Sequence, residues 1–535
     1  MASTRKRYSL LLINPARKYR YQWDMHEACA TMGKRSTASP LALPLIAAFT
    51  PGHYDIRIID EEIEPLRVDD RPDLVGITAL VSNINRAYEI ADTFQADNVP
   101  VIMGGPQVSF SVEESLRHAD CVVRGEAETI WEQCLEDFEQ GCLKRSYKES
   151  SVTDFAKSPI PRWDLVKTDR IMTSVVQVSR GCPFRCDFCV VPLLFGRKLR
   201  YRDLDNVIEE IESLPVREIA FADDNLTADK KYARRLMRRL EPLKVTWSCQ
   251  AGIDTARDKE LLGMMARAGC MSILFGFESI NTENLREANK QQNVVEEYRQ
   301  IIENVHGAGI QVIASFLVGF DADTLETFDQ IYGFTQENNL SYVMLNSLSP
   351  YPGSGFHKRM AKCGRTMHID TELLNGIFPT MRYRNISGED MFLKGLSTLE
   401  KIYSYENLCK KGPAVLGNGA FSNEEKTHTD LSAKILGALK IMKDHIFTTD
   451  SHKRRLLLNL MGLVRDKATQ PPDIFRYLLF MTSLHGFLQS TRERKQDILA
   501  HIRETDWGAL KDNGWDEDVP DNTHHKGGCS MASAD

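Results

Sequence analysis

Short apolar runs that alternate with stretches of helical spacing constrain the fold of this chain more than any other feature. In the first series the runs lie at residues 8–13, 55–59, 74–78, 99–103 and 121–123. Continuous apolar runs of this length are typical of parallel strands that are buried on both faces. Residues 7–141 are therefore predicted to form a doubly wound, Rossmann-like α/β sheet of about five strands, which binds ligands at the carboxyl ends of its strands.

A second series begins after residues 142–170, which we interpret as a linker because they have little periodicity and contain Pro159 and Pro161. Six strand candidates follow, each separated from the next by a helical stretch, at residues 171–178, 218–222, 244–249, 272–277, 310–318 and 342–348. Six such units over residues 171–385 predict a partial (β/α)6 barrel, whose chemistry lies at the carboxyl ends of the strands.

The pattern changes again after residue 385, where the apolar spacing is helical and strand signals almost vanish. The clearest helical stretches are residues 394–403, 432–445, 453–464 and 473–488. Residues 386–515 therefore predict a helical C-terminal domain. Residues 516–535 are rich in Gly, Ser and Asp and predict a flexible tail, to which we assign His524, His525 and Cys529 rather than to a metal site.

Charge and hydropathy exclude several classes of protein. The chain has 67 Lys and Arg against 74 Asp and Glu, a formal net charge of -7, which counts against a general role in coating nucleic acid. The longest apolar stretch near the N-terminus, residues 40–49, is about half of what a bilayer span needs and contains Pro44. No transmembrane segment or signal peptide is predicted, and we expect a cytoplasmic location.

Twelve cysteines divide into nine scattered ones, typical of buried thiols, and a group of three in the segment 179–189. Cys182, Cys186 and Cys189 follow directly after the first barrel strand, and their spacing lets one loop bind three corners of a cuboidal iron–sulfur cluster. The fourth iron keeps an open position, which is typical of a catalytic site. The alternative, a structural zinc site, needs a fourth ligand at recognisable spacing, and no cysteine follows before Cys249.

With the aromatic Phe188 before the last cysteine, this triplet resembles the signature of the radical S-adenosylmethionine (SAM) superfamily. The resemblance implies a [4Fe–4S] cluster on Cys182, Cys186 and Cys189, with SAM chelated to the open iron. Electron transfer from the cluster would then cleave SAM to a 5′-deoxyadenosyl radical. An external electron donor such as flavodoxin or ferredoxin is implied as a partner.

The resemblance also implies contacts with SAM at the strand ends. Asp223 and Asp224 follow the second barrel strand, where this superfamily holds the methionyl amine, although either could instead cap a helix that begins near Thr227. Glu278 closes the fourth strand, in a position suited to the ribose or the amine. The end of the fifth strand resembles the apolar ridge that backs the adenine. The residues predicted to bind SAM are Phe188, Asp223, Asp224, Glu278, Leu317 and Gly319.

The strand ends of residues 7–141 resemble the cobalamin-binding domain that is fused to many radical SAM enzymes. Small residues there would let a flat macrocycle and its nucleotide tail approach the backbone. The resemblance implies that cobalamin is bound by Thr78, Ser82, Gly104, Gly105, Gln107, Gly125 and Glu126. A flavodoxin-like domain that has lost its ligand would show the same strands, so this alternative stays open.

One departure from the family concerns the cobalt ion. Cobalamin domains that supply a protein imidazole use an Asp-x-His-x-x-Gly pattern, and this chain has none after its first strand. Many relatives carry His where this chain has Gln107. The histidines of the domain, His26, His53 and His118, lie in other contexts. We therefore expect cobalt to have no histidine ligand.

As a whole, the chain resembles the cobalamin-dependent radical SAM enzymes, especially methyltransferase-type members with a long helical C-terminal region. The resemblance implies that it methylates an unactivated carbon of a small-molecule or lipid-like substrate, with methylcobalamin as the methyl donor. One alternative is a non-methylating member that forms or rearranges a ring. An RNA-modifying enzyme is another, against which the net charge of -7 counts. The intact cysteine triplet counts against a cobalamin sensor with an inactive barrel. We assign no further catalytic residue and expect no nucleic-acid partner.

Overall fold

The computed structural model describes residues 6–22, 24–67, 71–149, 153–367, 373, 376–417, 431–466 and 469–504. Two six-stranded sheets, in which every strand pair is parallel, form its framework. The predicted tail at residues 516–535 lies outside the described residues. In the part of the chain that is described, no helix is both long and apolar enough to cross a membrane.

The first sheet has the strand order β2-β1-β3-β4-β5-β6. All five apolar runs of the first series form strands in it. Its sixth strand lies within the predicted linker, where three residues with only Tyr147 buried carry too weak an apolar signal for prediction. The strands are β1 (Tyr8–Asn14), β2 (Tyr54–Asp60), β3 (Leu74–Thr78), β4 (Val101–Gly104), β5 (Cys121–Arg124) and β6 (Ser146–Lys148).

Helices connect these strands and cover the sheet. Two of them, α1 and α4, are shorter than seven residues and have no clear signal in the sequence. The helix α4 begins at Pro106, and proline suits a first helical position because the missing N–H would have no partner there. The helices are α1 (His26–Thr31), α2 (Ala42–Phe49), α3 (Ile84–Ala96), α4 (Pro106–Phe110), α5 (Val112–His118) and α6 (Trp131–Glu139).

The second sheet has the order β14-β13-β12-β11-β10-β7 and confirms the partial barrel. Each of the six runs of the second series overlaps one of its strands, although β7 is only three residues long. A separate antiparallel pair flanks the cysteine triplet: β8 precedes the triplet and β9 follows it. The strands are β7 (Ser174–Val176), β8 (Ser179–Arg180), β9 (Arg200–Tyr201), β10 (Glu218–Phe221), β11 (Thr246–Ala251), β12 (Cys270–Glu278), β13 (Gln311–Val318) and β14 (Tyr342–Ser347).

The helices of the barrel pack on its outer face. Outward residues such as Trp247, Phe275 and Phe316 are fully buried against them, whereas inward residues such as Leu274 and Met344 are only half-buried. The barrel therefore keeps an accessible interior. Its helices are α7 (Val191–Leu194), α8 (Leu204–Ser213), α9 (Lys230–Leu240), α10 (Lys259–Arg267), α11 (Thr282–Glu287), α12 (Tyr298–Gly307), α13 (Leu325–Glu337) and α14 (Gly355–Lys362).

The described residues from 388 to 504 are mainly helical, as predicted. Their helices pack beside the edge strand β14, where the Phe480 ring lies 4.5 Å from that of Tyr342. They also reach the part of the chain that carries the first sheet, which we call the first domain. The Ala28 N–H of this domain donates to Ser483 Oγ at 2.9 Å. These helices therefore cover the open side of the barrel. They are α15 (Gly388–Ile402), α16 (Tyr405–Gly417), α17 (Leu431–Ile446), α18 (Ser451–Arg465), α19 (Pro471–Glu493) and α20 (Lys495–Glu504).

A loop of the first domain completes this closure. The side-chain amide of Gln22 is buried and donates to the Leu345 carbonyl at 3.3 Å, while its oxygen accepts the Leu345 N–H at 3.4 Å. Gln22 thus pairs with the edge strand β14 much as a neighbouring strand would. The carboxyl ends of the two sheets consequently face a common space.

Candidate functional site

The three clustered cysteines lie half-buried on the loop between β8 and α7. Gly181 starts this loop with φ +93°, and a Cβ there would lie 2.7 Å from the Lys198 carbonyl oxygen. Further along, the Asp187 N–H donates to the Ala288 carbonyl at 2.9 Å, and the Asp187 carbonyl accepts from Phe356 at 2.9 Å. The loop is therefore fixed by hydrogen bonds to other barrel loops.

The donor set of this loop fits an iron–sulfur cluster. Among the described residues, no three His, Cys, Asp or Glu side chains converge on a single metal ion. A cuboidal cluster does not require such convergence, since each thiolate binds a different iron. Burial raises the pKa of the Cys182 thiol and that of Cys189, the latter to about 12. Gln292 Nε2 lies 3.7 Å from Cys186 Sγ, as a donor that would support a cluster thiolate.

The two acids after β10 have different surroundings. The Asp223 carboxylate is buried and accepts hydrogen bonds from the Val178 N–H and from the N–H and hydroxyl of Ser179, so it supports the start of the cysteine loop. Asp224 Oδ2 is buried without a hydrogen-bond partner among the described residues. Burial raises the pKa of both carboxyls, to about 7 for Asp223 and about 6 for Asp224. Asp224 is therefore the better candidate of the two for contact with a ligand.

The alternative that these acids cap a helix near Thr227 is wrong. The next helix, α9, begins at Lys230, and Asp229 caps it by accepting from the backbone N–H groups of Lys231 and Tyr232. The turn between Asp224 and Asp229 separates the acids from the helix.

Glu278 ends β12 in a left-handed conformation, with φ +61°. The register with β13 shifts between Gly276 and Glu278, which marks a bulge. Its carboxylate forms a buried ion pair with Lys290, whose ammonium also lies near the Cys186 thiol. A non-glycine residue at positive φ is strained, and such strain is concentrated at functional sites. Lys290 could not be identified from the sequence, because it follows a short helix and belongs to no motif.

The remaining residues predicted to bind SAM lie at the same end of the barrel. Leu317 is half-buried on the inner face of β13. Gly319 has φ +122°, and a Cβ there would lie 2.3 Å from the Tyr383 ring. The Phe188 ring lies 5.9 Å from Lys290 Nζ. The structure thus brings the six predicted residues to the barrel mouth, where Asp223 faces the protein rather than the open space.

A cavity of about 420 Å³ lies between the two sheets. Its walls come from the strand ends of the first domain and from Gln177, Arg180 and Ala222 of the barrel. Five of the seven residues predicted to bind cobalamin line it: Thr78, Gly104, Gly105, Gly125 and Glu126. Ser82 and Gln107 are buried outside the lining, and the Gln107 N–H donates to the Ala79 carbonyl at 3.2 Å.

The backbone at this cavity fits a flat ligand. Gly105 has φ +103°, and a Cβ there would lie 2.7 and 2.8 Å from backbone atoms of Ala79. No histidine is among the described residues that line the cavity. His53 Nε2 is 2.6 Å from Glu139, and His118 Nδ1 is 2.8 Å from Asp92. The fit supports cobalamin, and a cobalt ion without a histidine ligand stays a prediction.

A buried ion-pair network joins the cavity to the cysteine loop. Arg180, two residues before Cys182, has Nη1 at 3.1 Å from Glu126 and 2.6 Å from Glu128. Arg200 of β9 also pairs with Glu126. Burial would raise the pKa of the Glu126 carboxyl, but the hydrogen bond from Arg200 and the charge of Arg180 outweigh it, and the pKa is lowered. The Glu126 carboxylate is thus engaged by arginines, which sequence reasoning missed.

Two protein families match separate parts of the chain. Residues 176–335 match the radical SAM superfamily, and residues 35–135 match the B12 binding domain. The first range covers the barrel from β7 to α13, and the second covers the strand ends that line the cavity. Both ranges agree with the two series of strands.

Several characterised proteins are similar to the chain. Bacteriochlorophyllide d C-12(1)-methyltransferase of Chlorobaculum tepidum is 26% identical over 70% of this chain and 85% of that protein. Hopanoid C-2 methylase of Rhodopseudomonas palustris is 25% identical over 63% and 67%, and anaerobic magnesium-protoporphyrin IX monomethyl ester cyclase of Rubrivivax gelatinosus is 26% identical over 62% and 67%.

Solved structures share the fold. The cobalamin-dependent SAM radical enzyme OxsB, with aqua-cobalamin and SAM bound, matches with a TM-score of 0.59 at 14% identity, over 93% of this chain and 81% of that one. The radical SAM methyltransferase TsrM from Kitasatospora setae, with cobalamin and a [4Fe–4S] cluster bound, matches with a TM-score of 0.58 at 16% identity, over 87% and 100%. The likeness extends beyond the barrel to most of the chain.

Proposed function

Because the chain belongs to the cobalamin-dependent radical SAM enzymes, we propose that it methylates an unactivated carbon of a small-molecule or lipid-like substrate. The observation that carries this proposal is the cavity between the two sheets, in which the strand ends predicted to bind cobalamin lie opposite residues of the barrel. When bound, the cluster with SAM would supply the radical and cobalamin would supply the methyl group.

The barrel residues have separable roles in this proposal. Cys182, Cys186 and Cys189 hold the cluster. Asp224, whose buried Oδ2 has no partner among the described residues, accepts a hydrogen bond from the methionyl ammonium of SAM. Lys290 neutralises Glu278 beside the cysteine loop, so that the Glu278 carboxylate does not lie there as an unpaired negative charge.

The role of Asp224 is tested by Asp224→Asn with Asp223→Asn as its matched partner. A charge-assisted hydrogen bond is worth about 1.5–3 kcal/mol, so the affinity for SAM should fall roughly 10- to 100-fold in Asp224→Asn. Asp223→Asn should lower the melting temperature instead, since Asp223 supports the loop. Equal losses of SAM affinity in both variants would contradict the assignment.

Methyl transfer is tested with SAM that carries a deuterated methyl group. The product should gain an intact CD3 group, while 5′-deoxyadenosine and S-adenosylhomocysteine form in equal amounts, because one SAM is consumed for each half of the cycle. The candidate substrate is the compound that accumulates in a deletion strain. A product without the label would refute methylation.

The second candidate is a ring-forming or rearranging radical enzyme, which the similarity to a ring-closing cyclase favours. The same assay separates the two functions. A cyclase would form 5′-deoxyadenosine with its product but no S-adenosylhomocysteine. The similarity to methyltransferases at higher coverage makes methylation the leading proposal.

An external electron donor such as flavodoxin or ferredoxin would reduce the cluster. Arg185, Arg197 and Lys198 are exposed on or beside the cysteine loop, and none has an ion pair with a described residue. These cations suit an acidic carrier protein. Charge reversal of Arg197 and Lys198 should slow SAM cleavage with flavodoxin and leave it unchanged with dithionite.

The cluster also bears on the location of the protein. A cluster held by three cysteine thiolates favours the reducing cytoplasm, where thiols are not oxidised to disulfides.

A further inference from the structure

Exposed apolar side chains are concentrated on one helical hairpin of the C-terminal region. Of the ten large apolar side chains that are exposed among the described residues, six lie on α17, on α18 or between them. They form what we term the hairpin face: Leu439, Met442, Ile446, Phe447, Leu458 and Met461. Single exposed apolar residues are normal on a protein surface, but a concentration of this kind marks an interaction site.

The spacing of these residues places them on continuous stripes. On α17 they recur at intervals of three and four residues, and on α18 Leu458 and Met461 are three apart, so each helix presents one outer stripe. The opposite sides of both helices are buried, at Ile441 and Leu460 for example. Phe447 follows the last residue of α17 and is 82% exposed, at the tip of the hairpin. The hairpin face is therefore separate from the hydrophobic core.

Basic residues surround the hairpin face. Residues 437–461 contain five Lys and Arg against two Asp, in a chain whose formal net charge is -7. One of the two acids, Asp450, caps α18 by accepting from the His452 N–H at 2.8 Å. Four of the cations are exposed and have no ion pair with any described residue: Lys440, Lys443, Arg454 and Arg455. The surface thus combines apolar stripes with unpaired positive charge.

We propose that the hairpin face docks onto an anionic phospholipid bilayer, with Phe447 and the two stripes inserted at the acyl boundary and the lysines and arginines at the headgroups. Helices with an apolar side and a basic side bind membrane interfaces in this way. A protein partner fits less well, because the cores of protein interfaces are depleted in lysine. No spanning helix is needed, in keeping with the lengths and hydropathy of the described helices.

The hairpin is anchored on the parts of the molecule that hold the site. A Cβ at Gly437 would lie 3.2 Å from the Phe475 ring of α19 and 3.3 Å from Met32 Sδ, next to α1. Docking would therefore fix the orientation of the first domain and of α19 relative to the bilayer. If the proposed function is correct, this surface gives the enzyme access to a substrate that resides in the membrane.

The test is co-sedimentation of the full-length holoenzyme with vesicles of phosphatidylcholine, with and without phosphatidylglycerol. The wild type should bind the anionic vesicles, and added salt should weaken this binding. Phe447→Ser combined with Leu458→Ser should lower the partition coefficient by about tenfold or more, since two apolar groups no longer insert. Lys440→Glu combined with Lys443→Glu should lower the partition coefficient by at least about fivefold for each lysine replaced. This loss should appear only with vesicles that contain phosphatidylglycerol.

Matched controls are Leu325→Ser, which removes a leucine that is 39% exposed on α13, and Lys231→Glu on α9. Neither should change vesicle binding. Binding that is absent in the wild type, or lost equally in controls and hairpin variants, would overturn the proposal. So would a wild-type dimer by light scattering that Phe447→Ser converts to monomer without any vesicle binding, because a second copy would then cover the face. Vesicle binding requires no turnover, so a failed methyl-transfer assay would leave this result intact.

Discussion

The first-domain wall of the central cavity and the mouth of the barrel differ in how their carboxylates are paired. On the first-domain wall, the lining carboxylates, Glu126 and Glu128, are both paired with arginine, and glycines lie at the ends of β4 and β5. On the barrel side, the carboxylate of Asp224 keeps a buried oxygen without a partner among the described residues. The proposed function accounts for this difference: a large flat ligand would be held at the first wall by shape, and a small charged ligand would be held at the barrel by its ammonium group.

Arg180 connects these two regions. It lies immediately before the cysteine loop, and its guanidinium reaches the acids that follow β5 of the first domain. The Arg180 guanidinium also lies over the Phe155 ring at 4.5 Å, which removes it further from water. A contact of this kind fixes the distance between the two ligand sites, so damage to one region and damage to the junction should have different consequences.

The largest effect is expected from replacing Cys182, Cys186 and Cys189 together by alanine. The variant should contain no cluster, whereas the wild type should carry about four irons per chain, and its reductive cleavage of SAM should be abolished. Cobalamin retention through gel filtration should be unchanged, because the cavity wall of the first domain is untouched. The measurements are iron content, visible absorption and 5′-deoxyadenosine formation.

The control for this variant is Cys363→Ala, which removes a half-buried thiol outside the loop and should leave the cluster intact. Cluster absorption that survives in the triple variant would refute the assignment. Loss of cobalamin together with the cluster would show that the two regions do not act independently.

A smaller effect is expected from Arg180→Gln, which breaks the junction. The change leaves Glu128 buried without its cation, and an unpaired buried charge costs about 3–5 kcal/mol. The variant should unfold at a lower temperature and should form more 5′-deoxyadenosine than S-adenosylhomocysteine, because the two half-reactions lose their fixed geometry. A ratio that stays at one in folded protein would show that Arg180 only stabilises the fold.

Two further variants separate these effects. Arg162→Gln removes an exposed arginine paired with Asp164 and should change stability by less than about 1 kcal/mol. Adding Glu128→Gln to Arg180→Gln should recover part of the lost stability, since the buried charge is then gone.

The fold was predictable where strands are buried on both faces and carry continuous apolar runs, as in β1 and β3. It was not predictable for β6, because a three-residue edge strand has one buried side chain and its pairing with β5 is a long-range contact. The helices α1 and α4 were also missed, because they are too short to show a helical period.

The residues of the site likewise divide into those with a local signal in the sequence and those without one. The cysteine triplet is local in sequence, so its spacing predicted its chemistry. The pairing of Arg200 with Glu126 joins residues 74 positions apart and has no local signal. Asp223 and Asp224 are adjacent, and the sequence could not decide which of them faces the site, because that depends on the backbone turn after β10.

The smallest expected effect concerns the first-domain wall and is tested by Gly105→Ala. The backbone there has φ +103°, and the new Cβ would contact backbone atoms of Ala79, so the change combines strain of about 1–3 kcal/mol with displacement of the strand end. Gly141→Ala is the matched control, since Gly141 also has positive φ, +70°, but nothing lies within 4 Å of its added Cβ. Gly105→Ala should reduce cobalamin retention while iron content and SAM cleavage persist. If both variants lose cobalamin equally, backbone strain alone explains the loss; if only Gly105→Ala loses it, the shape of the wall is what holds the macrocycle.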